Sequence, residues 1–159
     1  MSLSLEERQE IETDLRHCPD RRSACIDAML TVQRHRGWLS DEGLQDVAEF
    51  LGMTTAELDS VATFYNLIYR EPVGRNVLLV CNSVSCWIMG CDRVFEAVSA
   101  QLGIRPGETT ADGRFTLLPI CCLGACDRAP VMLVGEDVHG PLDPAEQPDQ
   151  LIRLLEPYR

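Results

Sequence analysis

Positive charge is scarce in this chain: 14 basic residues stand against 25 acidic ones, for a net charge of −11. Nucleic-acid binding rewards clustered cations, so this balance argues against that class of function. It gives anionic lipid nothing to attract either. Lysine is absent altogether, all 14 basic residues being arginine. Nothing in the sequence explains that, although arginine suits buried protein interfaces better than lysine does. Long apolar runs are also missing; the longest, around Leu117 to Ala125, is interrupted by Pro119 and Gly124 and falls short of a membrane span. The N-terminal "MSLSLEERQEIE" is acidic and helical in pattern, unlike a secretory signal or an arginine-rich transit peptide. These absences lead to the expectation of a bacterial cytoplasmic protein with no nucleic-acid partner and no direct membrane insertion.

Two motifs are missing as well. No C-x-x-C occurs, which removes the signature of a thioredoxin-type dithiol catalyst. No G-x-G-x-x-G occurs, so the chain has no fingerprint for binding NADH itself.

Cysteine, by contrast, is abundant: there are eight in 159 residues. In a reducing cytoplasm structural disulfides are not expected, and clustered thiols point to metal or redox work. Their distribution follows a change of grammar along the chain. Residues 1–75 read as a helical bundle. Ser4 and Glu7 form a capping box before an apolar stripe that begins with Ile11 and Leu15. Cys18-Pro19-Asp20 breaks that helix. Asp20 can cap the next, which carries Ile26, Met29, Leu30 and Gln33 near one face and stops at Gly37. Ser40 opens a third helix with Leu44, Val47, Ala48 and Leu51, ended by Gly52. Thr54 and Glu57 form a second capping box, opening a fourth helix predicted through Leu58, Val61, Phe64, Tyr65 and Ile68.

Residues 76–159 alternate strands and helices. "NVLLV" suits a buried strand leading into Cys81. Val94, Phe95, Val98 and Leu102 fall at helical spacing within Gly90 to Leu102. "ADGRFTLLPI" gives an Asp-Gly turn and a strand, "PVMLVGEDVHGPL" two strands about a tight turn, and "PDQLIRLLEPY" a closing helix with Pro148 near its start. The fold class expected is α+β, a helical bundle followed by a small α/β sandwich.

In this second half the cysteines pair as Cys81-x4-Cys86 and Cys121/Cys122 with Cys126, each group just after a predicted strand in small-residue loops, "CNSVSC" and "CLGAC". Loops leaving adjacent strand ends converge in space. Glycine and serine there let backbone N–H groups approach sulfur, which favours thiolates and tunes bound iron. Structural zinc sites favour pairs separated by two to four residues, most often two, so spacings of four and three favour iron–sulfur over zinc, and both over unligated thiols. A first pair spaced by four resembles the plant-type two-iron pattern, though the second pair differs from it. Cys121 and Cys122 are neighbours leaving a strand and point to opposite faces, so one is expected to aim at the site and the other to pack into the fold; spacing alone does not choose between them.

Outside these pairs, Cys91 reads as a small buried hydrophobe on a helix rather than a further ligand, and Cys18 and Cys25 as spectators of the helical half. His17, His35 and His139 stand singly without ligand spacing. Trp87 is either a shield for the site or a packing residue, and Arg128 either a positive charge near the site or a partner for Asp127. The Leu67 to Arg75 segment, mixing apolar groups with Tyr69 and two arginines, reads equally as interface or as surface linker.

The stretches "QRHRGWLS", "VATFYNLIYREPVGR", "CNSVSCWIMG", "TTADGRFTLLPICCLGACDRAP" and "VMLVGEDVH" together resemble the E subunits of bacterial NADH:quinone oxidoreductases, the thioredoxin-like two-iron ferredoxin family of respiratory complex I. The likeness runs from about residue 4 to 157, with Ser60 where the common pattern has glycine. It implies an N-terminal helical bundle followed by a thioredoxin-like α/β [2Fe–2S] ferredoxin domain. Carried onto this sequence, the four ligands fall on Cys81, Cys86, Cys122 and Cys126. The resemblance implies one [2Fe–2S] cluster here, with FMN and NADH held by a partner subunit and a large iron–sulfur subunit beside it. The assembly would be peripheral to the inner membrane. A sibling implication is the equivalent subunit of an NAD-dependent formate dehydrogenase or bidirectional hydrogenase. Readings of other classes are a zinc-stapled binding module and, more remotely, a thiol–disulfide oxidoreductase.

Overall fold

The computed structural model describes residues 2–158 and divides into two compact units, Met1–Pro72 and Val73–Arg159. The fold is α+β, with the first unit all-helical and the second built on a mixed sheet.

In the first unit four helices form because each has a defined start. Ser4 caps α1 (Leu5–Leu15) and Thr54 caps α4 (Thr55–Phe64), both through complete capping boxes with Glu7 and Glu57. Ser40 caps α3 (Asp41–Leu51) by accepting from the Gly43 N–H at 3.1 Å. Asp20 caps less directly than expected: its carboxylate holds Ser23 and so opens a 3-10 turn, Arg22–Ala24, that runs into α2 (Cys25–Arg36). The core joins Ile11, Met29, Val32, Leu39, Val47, Leu51 and Leu58, all buried.

Two details differ from the sequence reading. The buried face of α2 is Ala28, Met29, Thr31 and Val32, with Ile26, Leu30 and Gln33 only partly covered. The fourth helix stops at Phe64 instead of continuing to Ile68. Gln33 accounts for the second. Its side-chain amide donates to the Leu67 carbonyl at 2.8 Å and accepts from the Tyr69 N–H at 2.6 Å. The Tyr69 carbonyl in turn accepts from the Leu39 N–H at 2.8 Å. Backbone groups that would continue the helix are thus satisfied by tertiary partners in a non-helical segment.

The second unit carries the sheet order β2-β1-β3-β4, with β1 (Asn76–Cys81) parallel to β2 (Phe115–Ile120) and antiparallel to β3 (Met132–Val134), which pairs antiparallel with β4 (Asp137–His139). The parallel pair needs a crossover, supplied by α5 (Val84–Ile88) and α6 (Cys91–Leu102). Alternation along β1 divides the core. Leu78 and Val80 join Val94, Val98, Leu117, Met132 and the closing helix α7 (Gln150–Leu155) through Leu151 and Leu155. Leu79 and Cys81 join a separate apolar cluster with Cys86, Cys91, Ile120, Ala125, Ala129 and Val131. That second cluster sits under the cysteine loops.

Candidate metal centre

β1 ends in Cys81, whose N–H donates to the Val131 carbonyl at 3.0 Å, while the next N–H, of Asn82, reaches the Ile120 carbonyl at 3.0 Å. The strand end is therefore tied on both sides. The chain then makes α5, a short helix that small-residue composition disguises as a loop, and places Cys86 within it. Cys81 and Cys86 are each 1% exposed. Their thiols interact, and burial, opposed by the Val131 backbone N–H, pushes the Cys86 thiol up to about 11; nearby Cys81 and Cys126 charge adds to the rise.

The second group lies in the loop after β2. Gly124 has φ +76, a conformation that L side chains rarely adopt. There its N–H donates to the Cys122 sulfur at 3.4 Å. The Cys122 and Cys126 sulfurs are 3.5 Å apart, and both residues are exposed. The Gly124 N–H, with the thiol of Cys126, lowers the Cys122 pKa; Cys126 is raised by Cys122, against a hydrogen bond with Ser85. Cys126 thus feels Cys122, Cys81 and, through Ser85, the α5 turn that carries Cys86. The structure brings all four thiols into one electrostatic group arranged as two pairs.

Other cysteines are disposed differently. Cys91 opens α6, buried in the apolar cluster that holds Cys81 and Cys86, its thiol raised by burial and then by Asp92 and Cys81. Cys121 is exposed, and Cys18 and Cys25 lie half-buried in the helical unit. Trp87 is 62% exposed and so packs little against its own chain. Among the described residues no ion pair joins Asp127 to Arg128. The contributions of Ser85, the Gly124 N–H and the Val131 N–H are new to the structure; only the small residues of both loops hint at them.

The donor set can be tested against a cofactor. Among the described residues no three His, Cys, Asp or Glu side chains are grouped to hold a metal ion. The thiols instead form two pairs, and a [2Fe–2S] cluster asks two thiolates of each iron. Backbone N–H groups at the sulfurs and an apolar backing suit a charged, solvent-sensitive cluster. The residues fit.

The family model of the thioredoxin-like [2Fe-2S] ferredoxins matches residues 11–156. The chain belongs to the thioredoxin-like [2Fe-2S] ferredoxin family. Membership implies one [2Fe–2S] cluster, and a ferredoxin of this kind carries electrons without forming a product alone. Among curated relatives, the E subunit of an NADH-quinone oxidoreductase from Pseudomonas aeruginosa is 46% identical over 98% of this chain and 92% of its own length. The protein of the same name from Escherichia coli is 46% identical over 99% and 92%. Its namesake from Buchnera aphidicola is 43% identical over 99% and 94%. Among solved structures, an NAD+-reducing [NiFe]-hydrogenase in its air-oxidized state superposes with TM-score 0.64 at 24% identity, covering 81% of this chain and 22% of the hydrogenase chain. That likeness is one of fold.

Proposed function

We propose that this chain is the electron-carrying E subunit of an NADH:quinone oxidoreductase, with Cys81, Cys86, Cys122 and Cys126 as the ligands of its [2Fe–2S] cluster. The observation that carries the reading is the paired thiol group, one pair buried where β1 leads into α5 and one exposed with sulfurs 3.5 Å apart. The near full-length likeness to proteins of that name supports the assembly. When bound, the cluster supplies one-electron chemistry. This chain's residues do the rest: Gly124 and Val131 aim N–H groups at sulfur, and Leu79, Ile120, Ala125 and Ala129 keep the inner side apolar.

The nearest redox partner in this reading is the FMN- and NADH-binding subunit, with the large iron–sulfur subunit beside it. Residues 1–75 serve assembly and 76–159 hold the cluster. The complex lies at the cytoplasmic side of a bacterial inner membrane as a peripheral part; among the described residues no helix is long and apolar enough to cross a membrane. Partner docking is supported by α5 and the residue after it, where Val84, Trp87, Ile88 and Met89 are all exposed beside the buried Cys86. Such an apolar patch next to a redox site suits a protein interface. Trp87→Glu is therefore expected to weaken co-purification with the flavin subunit while leaving the cluster's EPR spectrum unchanged. Full retention of the partner would remove the patch from the interface.

The test of the whole reading is anaerobic purification followed by iron, sulfide and zinc analysis, with EPR of the reduced protein. Two irons and two acid-labile sulfides per chain are expected, with a signal from a one-electron-reduced cluster. One zinc and no sulfide would support the binding-module alternative instead. The sibling reading, a subunit of a formate dehydrogenase or hydrogenase, is separated by which large subunits co-purify.

A further inference from the structure

The four thiols proposed as ligands differ sharply in access. Cys81 and Cys86 are 1% exposed and belong to the apolar cluster under the loops. Cys122 and Cys126 are exposed, already adjacent at 3.5 Å, and Cys122 is held by the Gly124 N–H. A preformed cluster brought by a donor meets the second pair first. Reaching the first pair requires the cysteine loops to part, because both residues are buried in that cluster with Ile120, Ala125 and Ala129.

We infer that the site loads with a fixed polarity: Cys122 and Cys126 capture the incoming cluster, and Cys81 and Cys86 complete its ligation. This rests on the ligand assignment above. The donor is a [2Fe–2S] cluster held by small thiolates. In each capture step one iron–sulfur bond to a donor thiolate breaks as one to Cys122 or Cys126 forms. The proton leaving the protein thiol goes to the departing donor thiolate, and no iron changes oxidation state. Two exposed sulfurs 3.5 Å apart offer the donor cluster its first replacement ligands, and an exposed loop turns to meet the donor at little cost. The buried pair, backed by apolar side chains, then removes the captured cluster from solvent and slows its loss.

The experiment follows capture by native mass spectrometry, using the apo chain and a glutathione-ligated [2Fe–2S] cluster as donor under anaerobic conditions. Cys81→Ser and Cys86→Ser chains are expected to form an adduct that keeps donor glutathione, whereas Cys122→Ser and Cys126→Ser chains form none at the same donor concentration. The unsubstituted chain guards against misfolded variants. Brief alkylation of the native apo protein should modify Cys122 and Cys126 about tenfold or more faster than Cys81 and Cys86, as mapped on peptides, and should abolish capture while the buried thiols remain free. Equal capture by Cys86→Ser and Cys122→Ser chains, or capture surviving alkylation of the exposed pair, overturns the polarity and leaves the ligand assignment standing. If every single-serine chain takes up a cluster spectroscopically identical to that of the unsubstituted protein, the ligand assignment itself fails.

Discussion

Replacing Cys122 with serine is expected to abolish, or strongly alter, the EPR signal of the reduced protein, whereas the same change at Cys121 leaves the spectrum as it was. The two positions are adjacent and both exposed, so they differ little in what serine does to the fold. Away from buried or strained positions such a surface change costs within about 0.5 kcal/mol. What separates them is the sulfur environment. Cys122 sits 3.5 Å from the Cys126 sulfur and receives the Gly124 N–H. A serine hydroxyl there offers a hard, weakly acidic oxygen where iron–sulfur chemistry asks for a soft thiolate. Cys86→Ser is a less clean test, because it also buries a hydroxyl in an apolar cluster and so costs stability as well as ligation. Iron and sulfide content, EPR and a thermal melt of each variant separate the two effects. A normal spectrum from Cys122→Ser would move the second ligand pair elsewhere.

The part of the site legible in the sequence is the part carried by covalent spacing. Cys81-x4-Cys86 and Cys122-x3-Cys126 follow predicted strands; in the structure Cys81 closes β1, Cys86 lies in α5, and Cys122 and Cys126 lie beyond the end of β2. The choice of Cys122 over Cys121 comes from family resemblance, since alternation says only that one of the two faces inward. As the structure has it, both are exposed, and the difference lies in a turn made by Gly124 that no period reveals. Helix α5 escapes a sequence reading because five residues of "VSCWI" are too few for a 3.6-residue period to emerge from serine and cysteine. The α2 face reads one step around because Gln33 looks like a core edge. Its amide instead satisfies the backbone at Leu67 and Tyr69, a use that depends on a segment more than thirty residues away. Caps and glycine stops are local chemistry and legible as such: the boxes at Ser4 and Thr54 close as expected, and Gly37 and Gly52 end their helices at positive φ.

The largest stability effect expected in the helical unit follows from a charge that periodicity also hides. Glu7, only 3% exposed at its side chain, accepts from Arg36 at 2.7 and 2.9 Å and from the Ser4 N–H at 2.7 Å. Arg36 also reaches Asp46 at 3.1 Å, so one guanidinium ties α1 and α3 to its own helix, α2. Arg36→Ala leaves the Glu7 carboxylate buried without its main partner and is expected to cost about 3–5 kcal/mol at neutral pH. The same pair sets an acid limit. Hydrogen bonds from Arg36 hold the Glu7 carboxyl down at about 2, below its ordinary 4.5. Because the folded value is the lower one, its stabilisation is complete above about pH 4.5 and drains away as pH falls toward 2. The amount is about 3 kcal/mol, from roughly 1.4 kcal/mol for each tenfold change in proton affinity. Glu7→Gln removes the titrating group, so the loss of stability between pH 4.5 and 2 is expected to become shallower in that variant. Urea midpoints followed by the helical circular-dichroism signal across that interval measure it. An unchanged acid slope in Glu7→Gln would mean that other carboxylates, and not this buried one, govern the unit's unfolding at low pH.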